Sequence, residues 1–143
     1  MRKFRILLLT LALGASCLAA TKKPIQPKGS PTGRPFSPGI LIDGTLYVSG
    51  TTGSDPKTGN IPGEFEAEVK QALENIGLVL KEAGMTFDNA VTVQVYLTDM
   101  ELFPRMNAVY TTYFKEPRPA RTTVGVAKLV GTAHIEITVT AHR

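Results

Sequence analysis

Apolar and polar positions along the chain fall into a regular order from Ile40 onward. Ile40, Leu41 and Ile42 run into Asp43-Gly44, and Thr45-Leu46-Tyr47-Val48-Ser49 follows. Asp-Gly accepts the positive φ of a tight two-residue turn, so this stretch predicts a β-hairpin. Residues 50–63, with Asp55-Pro56 and Thr58-Gly59-Asn60, read as a turn-rich loop. Then the period changes. Phe65, Val69, Ala72, Leu73, Ile76, Val79, Leu80 and Ala83 recur on one helical stripe, which predicts an amphipathic helix over 64–83. Glu64, Glu66 and Glu68 crowd its start and Lys81 lies near its end, as the helix dipole favours, while Gly84 supplies a stop.

The second half repeats the alternation of periods. Val91, Val93, Val95 and Leu97 predict a strand over 90–97 with those residues on one face. Leu102, Met106, Val109 and Tyr113 align on a helix over about 102–114, with Pro104 in the first turn, where a missing N–H is tolerated. Pro117 and Pro119 end it, and strands over 121–128 and 134–142 close the chain, the last with Ile135, Ile137, Val139 and Ala141 on one face. The expected order is β-β-α-β-α-β-β, an α+β fold with two helices packed on one face of a mixed sheet.

Ahead of that body stand two segments of different character. Arg2, Lys3 and Arg5 precede an uncharged apolar run over 6–15, and small residues follow at Ala19 and Ala20. This is the layout of a secretory signal peptide, too short to span a bilayer, and it implies a periplasmic or secreted protein. Cys17, the only cysteine, falls inside it. As a lipid-attachment site it is a poor match, because Gly14 stands where an aliphatic residue is expected, so cleavage near Ala19 or Ala20 is the preferred reading. Residues 21–35 form a Pro-rich leader, and 36–143 form the domain.

Composition changes the picture once these segments are set apart. The whole chain has a formal charge of +4, but six of its 16 basic residues precede residue 29 and none of its 12 acidic ones do. Residues 29–143 therefore hold 10 basic against 12 acidic side chains. A body so near neutrality lacks the basic footprint of a nucleic-acid binder.

Candidate chemistry is sparse. His134 and His142 have no metal-ligand spacing and read as strand-surface histidines. One constellation remains: Arg121 and Thr123 share a face of their strand, and Glu136, the only acid in 117–143, lies among apolar and Thr residues of the next. On the pattern alone, the plainer reading is a cross-strand Arg121–Glu136 pair on the sheet surface, contributing about 0.2–1 kcal/mol.

Longer motifs enlarge that reading. Pro119-Ala120-Arg121, Ala127-Lys128-Leu129 and Ile135-Glu136-Ile137 resemble the C-terminal signature of the RidA/YjgF family. The likeness extends to Tyr47-Val48-Ser49-Gly50, the turn over 55–59, Gln71-Ala72-Leu73-Glu74-Asn75, and Phe103 with Asn107 ahead of Tyr110. It implies a chorismate-mutase-like fold, a homotrimer with pockets between subunits, and hydrolysis of 2-aminoacrylate-type enamines and imines to 2-keto acids and ammonia, with no metal or organic cofactor. Within it, Arg121 matches the arginine that binds the substrate carboxylate, a task suited to a planar two-pronged donor. Glu136 matches the acid that positions the attacking water. Ser49, Gly50, Phe103 and Asn107 match pocket-lining positions.

Three positions depart from the family pattern. Phe36 stands where deaminase members usually have a tyrosine, Thr123 where many have a cysteine, and Thr122 where a smaller residue is usual. The clamp and the acid survive these changes, which bear on substrate identity and rate. The leading expectation is a deaminase of small 2-imino acids. The second is a trimer that binds a small carboxylate or keto acid without turnover, a reading that export favours. The third, an endoribonuclease, is disfavoured by the near-neutral body and the lack of a catalytic histidine.

Overall fold

The computed structural model describes residues 20–143; the expected signal peptide, apart from Ala20, lies outside the described residues. Six strands and two helices follow one another: β1 (Lys23–Ile25), β2 (Gly39–Ile42), β3 (Thr45–Thr52), α1 (Phe65–Glu82), β4 (Ala90–Leu97), α2 (Phe103–Tyr113), β5 (Ala120–Gly125) and β6 (Ile135–His142). They form a single sheet in the order β1-β2-β3-β6-β4-β5. Every neighbouring pair is antiparallel except β4 and β5, which α2 joins as a parallel crossover. The expected α+β class and its two helices are present, with one strand more than the pattern announced.

Local chemistry explains most element ends. The β2–β3 hairpin turns on Asp43 and Gly44, whose φ values of 47° and 76° are both left-handed, the geometry for which Asp-Gly is suited. Gly84, at φ 71°, closes α1. Pro104 sits in the first turn of α2.

One face of the sheet carries the core. Val93, Val95 and Leu97 of β4 and Ile135, Ile137, Val139 and Ala141 of β6 are buried against α1 and α2. The alternate positions, Gln94, Tyr96, Glu136, Thr138 and Thr140, are half-buried on the opposite, helix-free face. Across the interhelical seam, Arg105 Nε and Nη2 each donate to Glu66 at 2.6 Å, and these bonds hold the Glu66 carboxyl down at about 2. Both side chains are solvent-exposed, so the pair contributes little net stability. Among the described residues no helix is long and apolar enough to cross a membrane.

Three sequence expectations need correction. Lys23–Ile25, expected in a leader outside the domain, pairs with β2 as an edge strand and buries Ile25 and Pro27. Val91 does not share the buried face of β4: the register slips between Ala90 and Thr92 and leaves it half exposed. β5 ends at Gly125, three residues before the expected end at residue 128.

A fourth correction concerns His134. Its ring is largely exposed, yet Nδ1 lies 2.8 Å from Oε2 of Glu68, a residue wholly buried on α1. The same carboxyl accepts the backbone N–H groups of His134 at 2.7 Å and Ile135 at 3.3 Å, tying α1 to the start of β6. Gly53 makes room for this arrangement, since a Cβ there would overlap the Glu68 main chain and side chain. A sequence signal existed: Glu68 interrupts the apolar stripe between Phe65 and Ala72. Replacing Glu68 with alanine strands two buried N–H groups and is expected to lower stability by about 2–5 kcal/mol, while glutamine, which keeps an acceptor, retains most of it. Urea midpoints of the two variants check this; an alanine variant as stable as the parent would contradict it.

Candidate functional site

The residues singled out by sequence assemble as two separate clusters. The first is on the helix side of the sheet. Arg121 lies level with Val93, whose side chain is in the core, so it shares that face; Thr123, level with Val95, shares it too. Phe103, Asn107 and Tyr110 recur at helical spacing and turn one face of α2 toward the strand. Arg121 Nη1 donates to Asn107 Oδ1 at 2.8 Å, and the guanidinium carbon lies 4.5 Å from the Tyr110 ring centroid and 5.5 Å from that of Phe103. None of the ion pairs among the described residues involves Arg121. It is a half-buried cation held by a neutral carbonyl and two rings.

Two enclosed hydroxyls flank it. Thr123 Oγ1 and the Tyr110 hydroxyl are both shut from solvent and have no hydrogen-bond partner among the described residues. Burial pushes the Tyr110 phenol above the ordinary tyrosine range, with the Arg121 charge pulling the other way. In this rotamer the Thr123 hydroxyl does not open to solvent; a χ1 rotation would be needed to present it there.

The second cluster is on the helix-free face. Glu136 lies level with Thr52 of β3 and Tyr96 of β4. Between Val48 and Thr51 the β3–β6 register shifts, which bulges Ser49 and Gly50 out of the ladder beside it. A Cβ at position 50 would overlap Glu136 Oε1, so only glycine leaves the carboxyl where it is. Ser49 donates its hydroxyl to the Ser37 carbonyl at 2.7 Å, and its N–H reaches the Pro38 carbonyl. That docks the segment carrying Phe36, whose ring is half exposed beneath the Arg34 guanidinium at 5.7 Å. Glu136 too is absent from the ion pairs among the described residues.

These positions overturn the cross-strand pair. β4 separates β5 from β6, and Arg121 and Glu136 project from opposite faces of the sheet. Among the described residues the two clusters are separate: a cation with no acid paired to it, and an acid with no cation paired to it. Sequence reasoning did not single out Tyr110 for the site, although its place one helical turn after Asn107 was a usable signal. His142 lies 3.1 Å from Thr45 Oγ1, and among the described residues no three metal-ligating side chains converge.

Residues 28–143 match the sequence profile of the family described as Endoribonuclease L-PSP, more than half of the chain. The chain belongs to this family, the RidA/YjgF family. Within the RidA/YjgF family, a 2-iminobutanoate/2-iminopropanoate deaminase of Rattus norvegicus is 45% identical over 71% of this chain and 75% of its own. The E. coli YjgF gene product superposes with a TM-score of 0.79 at 31% identity, covering 85% of this chain and 98% of that one. E. coli TdcF, solved with bound serine, superposes at 0.79 and 29% identity over 85% and 99%. Membership of the RidA/YjgF family agrees with the six-stranded sheet and paired helices described above.

Proposed function

We propose that this protein is a hydrolytic deaminase of small 2-imino and enamine acids, working in pockets formed between the subunits of a homotrimer. The observation that carries the reading is the split site. Arg121 and Glu136 are half-buried, free of ion-pair partners among the described residues, and on opposite faces of one sheet, so a pocket that uses both would take its complementary half from a neighbouring copy. Relatives named as imine deaminases, and the serine bound by TdcF, a small 2-amino carboxylate, support that substrate class.

The chemistry then divides between the halves. Arg121, oriented by Asn107, takes the substrate carboxylate on its free N–H groups. Glu136 removes a proton from water as the water oxygen bonds to C2 of the imine. The resulting carbinolamine breaks its C–N bond as nitrogen accepts a proton, releasing ammonia and the 2-keto acid. An enamine enters the same path after protonation at C3. Thr123, Phe36, Ser49, Gly50 and Phe103 shape the pocket, and the missing hydroxyl at Phe36 leaves a less polar wall than a tyrosine would. Generating 2-iminopropionate in situ with a dehydratase and following its decay tests the reading. Accelerated decay with the mature protein is expected; an unchanged decay together with saturable pyruvate binding would replace the enzyme by a binding trimer.

Association has a simple physical motive. The helix-free face presents Tyr47, 52% exposed, among half-buried Thr138, Thr140 and Gln94, and a small domain gains by covering such a surface. Light scattering of the mature chain in dilute buffer is expected to report three copies. A stable, fully active monomer would contradict the proposal.

The apolar run over 6–15 extends it to the cell envelope: the protein acts after export. Mass spectrometry of exported protein is expected to find an N-terminus close to Thr21. Active cytoplasmic protein that retains Met1 would overturn this.

A further inference from the structure

The surroundings of Arg121 contain one residue that neither the carboxylate clamp nor the water chemistry uses. Tyr110 is 2% exposed, and the guanidinium carbon sits 4.5 Å from its ring centroid, nearer than to any other aromatic ring it faces. Behind it, Phe114 stacks at 4.3 Å with an interplanar angle of 25°. Phe87 meets Phe114 edge-on at 5.1 Å and Tyr113 at 5.3 Å. The cation therefore caps a column of rings that is anchored in the core and cannot easily move aside. On its edge, Nη1 is fixed by Asn107 one helical turn before Tyr110. A ring against one face and an acceptor at one edge leave the guanidinium little freedom except to present its remaining N–H groups away from α2.

We infer that Tyr110 is the positioning residue for Arg121, and that its ring, not its hydroxyl, does the positioning. The hydroxyl is enclosed and partnerless among the described residues, so neither bulk solvent nor a ligand in the pocket touches it in this conformation. The ring face is the part that meets the cation. This inference rests on the reading of Arg121 as the carboxylate clamp. The plainer alternative is that Tyr110 merely fills the core, in which case its removal would act through folding and be indifferent to what stands at 121.

Four variants of the mature protein separate these accounts: Tyr110→Phe, Tyr110→Leu, Arg121→Lys, and the double variant of the last two. Two quantities are read in each: pyruvate affinity by titration, and, wherever Arg121 is present, the order of its Nε–H group by nitrogen-15 relaxation. Tyr110→Phe is expected to rescue both, since the ring face is kept. Tyr110→Leu is expected to loosen the guanidinium and to weaken pyruvate by about threefold to thirtyfold, the range of a partly desolvated cation–ring contact. In the Arg121→Lys background the same leucine change is expected to cost little more, because the group it positions is gone. A core substitution on α1, Val69→Ala, controls for general loosening and is expected to leave the Arg121 signal unchanged. Should the leucine variant fail to fold, Tyr110→Met removes the ring while its flexible side chain repacks into the gap.

Equal losses in the phenylalanine and leucine variants would assign the role to the hydroxyl and overturn the inference. Additive losses in the double variant would reduce Tyr110 to core filling. If the parent protein binds no pyruvate, the proposed function fails at that ligand, and the arginine signal still decides the platform: unchanged order in Tyr110→Leu would overturn it.

Discussion

Glu136→Gln is expected to lower the rate of 2-iminopropionate hydrolysis by about a hundredfold to ten-thousandfold, the usual contribution of a placed general base, and to leave pyruvate affinity nearly unaltered. Glutamine matches glutamate in shape, so it still fills the gap that Gly50 leaves and preserves the bulge of β3. What it lacks is a basic oxygen to take the proton of the attacking water. An effect on kcat without a matching effect on Kd identifies an interaction made only as the reaction proceeds. Single-turnover rates and pyruvate titration, measured side by side, check it. A glutamine variant with near-normal turnover would remove Glu136 from the chemistry.

Arg121→Lys is expected to give the second largest effect, with the opposite signature. Lysine keeps the charge, so a role for Arg121 that is only electrostatic would survive the exchange. A carboxylate clamp would not, because the ammonium is a point charge without two parallel donors, and it would also forgo the stacking on Tyr110. Losing one charge-assisted hydrogen bond costs about 1.5–3 kcal/mol of binding, a drop of tenfold to more than a hundredfold in pyruvate affinity and in kcat/KM. Thermal stability acts as the control. Arg121 is half-buried at a sheet edge with one hydrogen bond to Asn107, so the melting temperature is expected to fall by only a few degrees. Normal affinity in the lysine variant would return Arg121 to a structural role.

The elements were legible where a buried face repeats several times. α1 and β6 each bury four or more apolar residues at their own period, β4 buries Val93, Val95 and Leu97, α2 repeats Met106, Val109 and Tyr113, and the hairpin announces itself through Asp43-Gly44. β1 was not, because its three residues, with Pro24 in the middle, bury a single side chain, Ile25, and no period can be read from one point. Strand order was the deeper gap. Alternation tells which residues of one strand share a face, and it placed Arg121 with Thr123 correctly. It does not tell which strand lies beside which, so β5 and β6 were treated as neighbours although β4 runs between them. That assumption joined two residues on opposite faces of the sheet into one surface ion pair. The β-α-β run through α2 carried a clue, since a helical crossover commonly joins parallel strands. Glu68 and Tyr110 were missed for a related reason: each sits on a helix face read as packing, and its partners come from strands far away in sequence.

Mixing two disabled chains tests directly whether the site is shared between copies. Arg121→Lys and Glu136→Gln chains carry complementary defects. If one copy supplies the arginine and its neighbour the glutamate, co-expression of the two in equal amounts rebuilds intact pockets. Random assembly into trimers then restores about one pocket in four, so the mixed protein is expected to hydrolyse 2-iminopropionate at roughly a quarter of the parent rate. A site contained within single chains would give no such recovery. Activity in the mixed trimers no higher than the mean of the two parent variants would contradict the shared pocket.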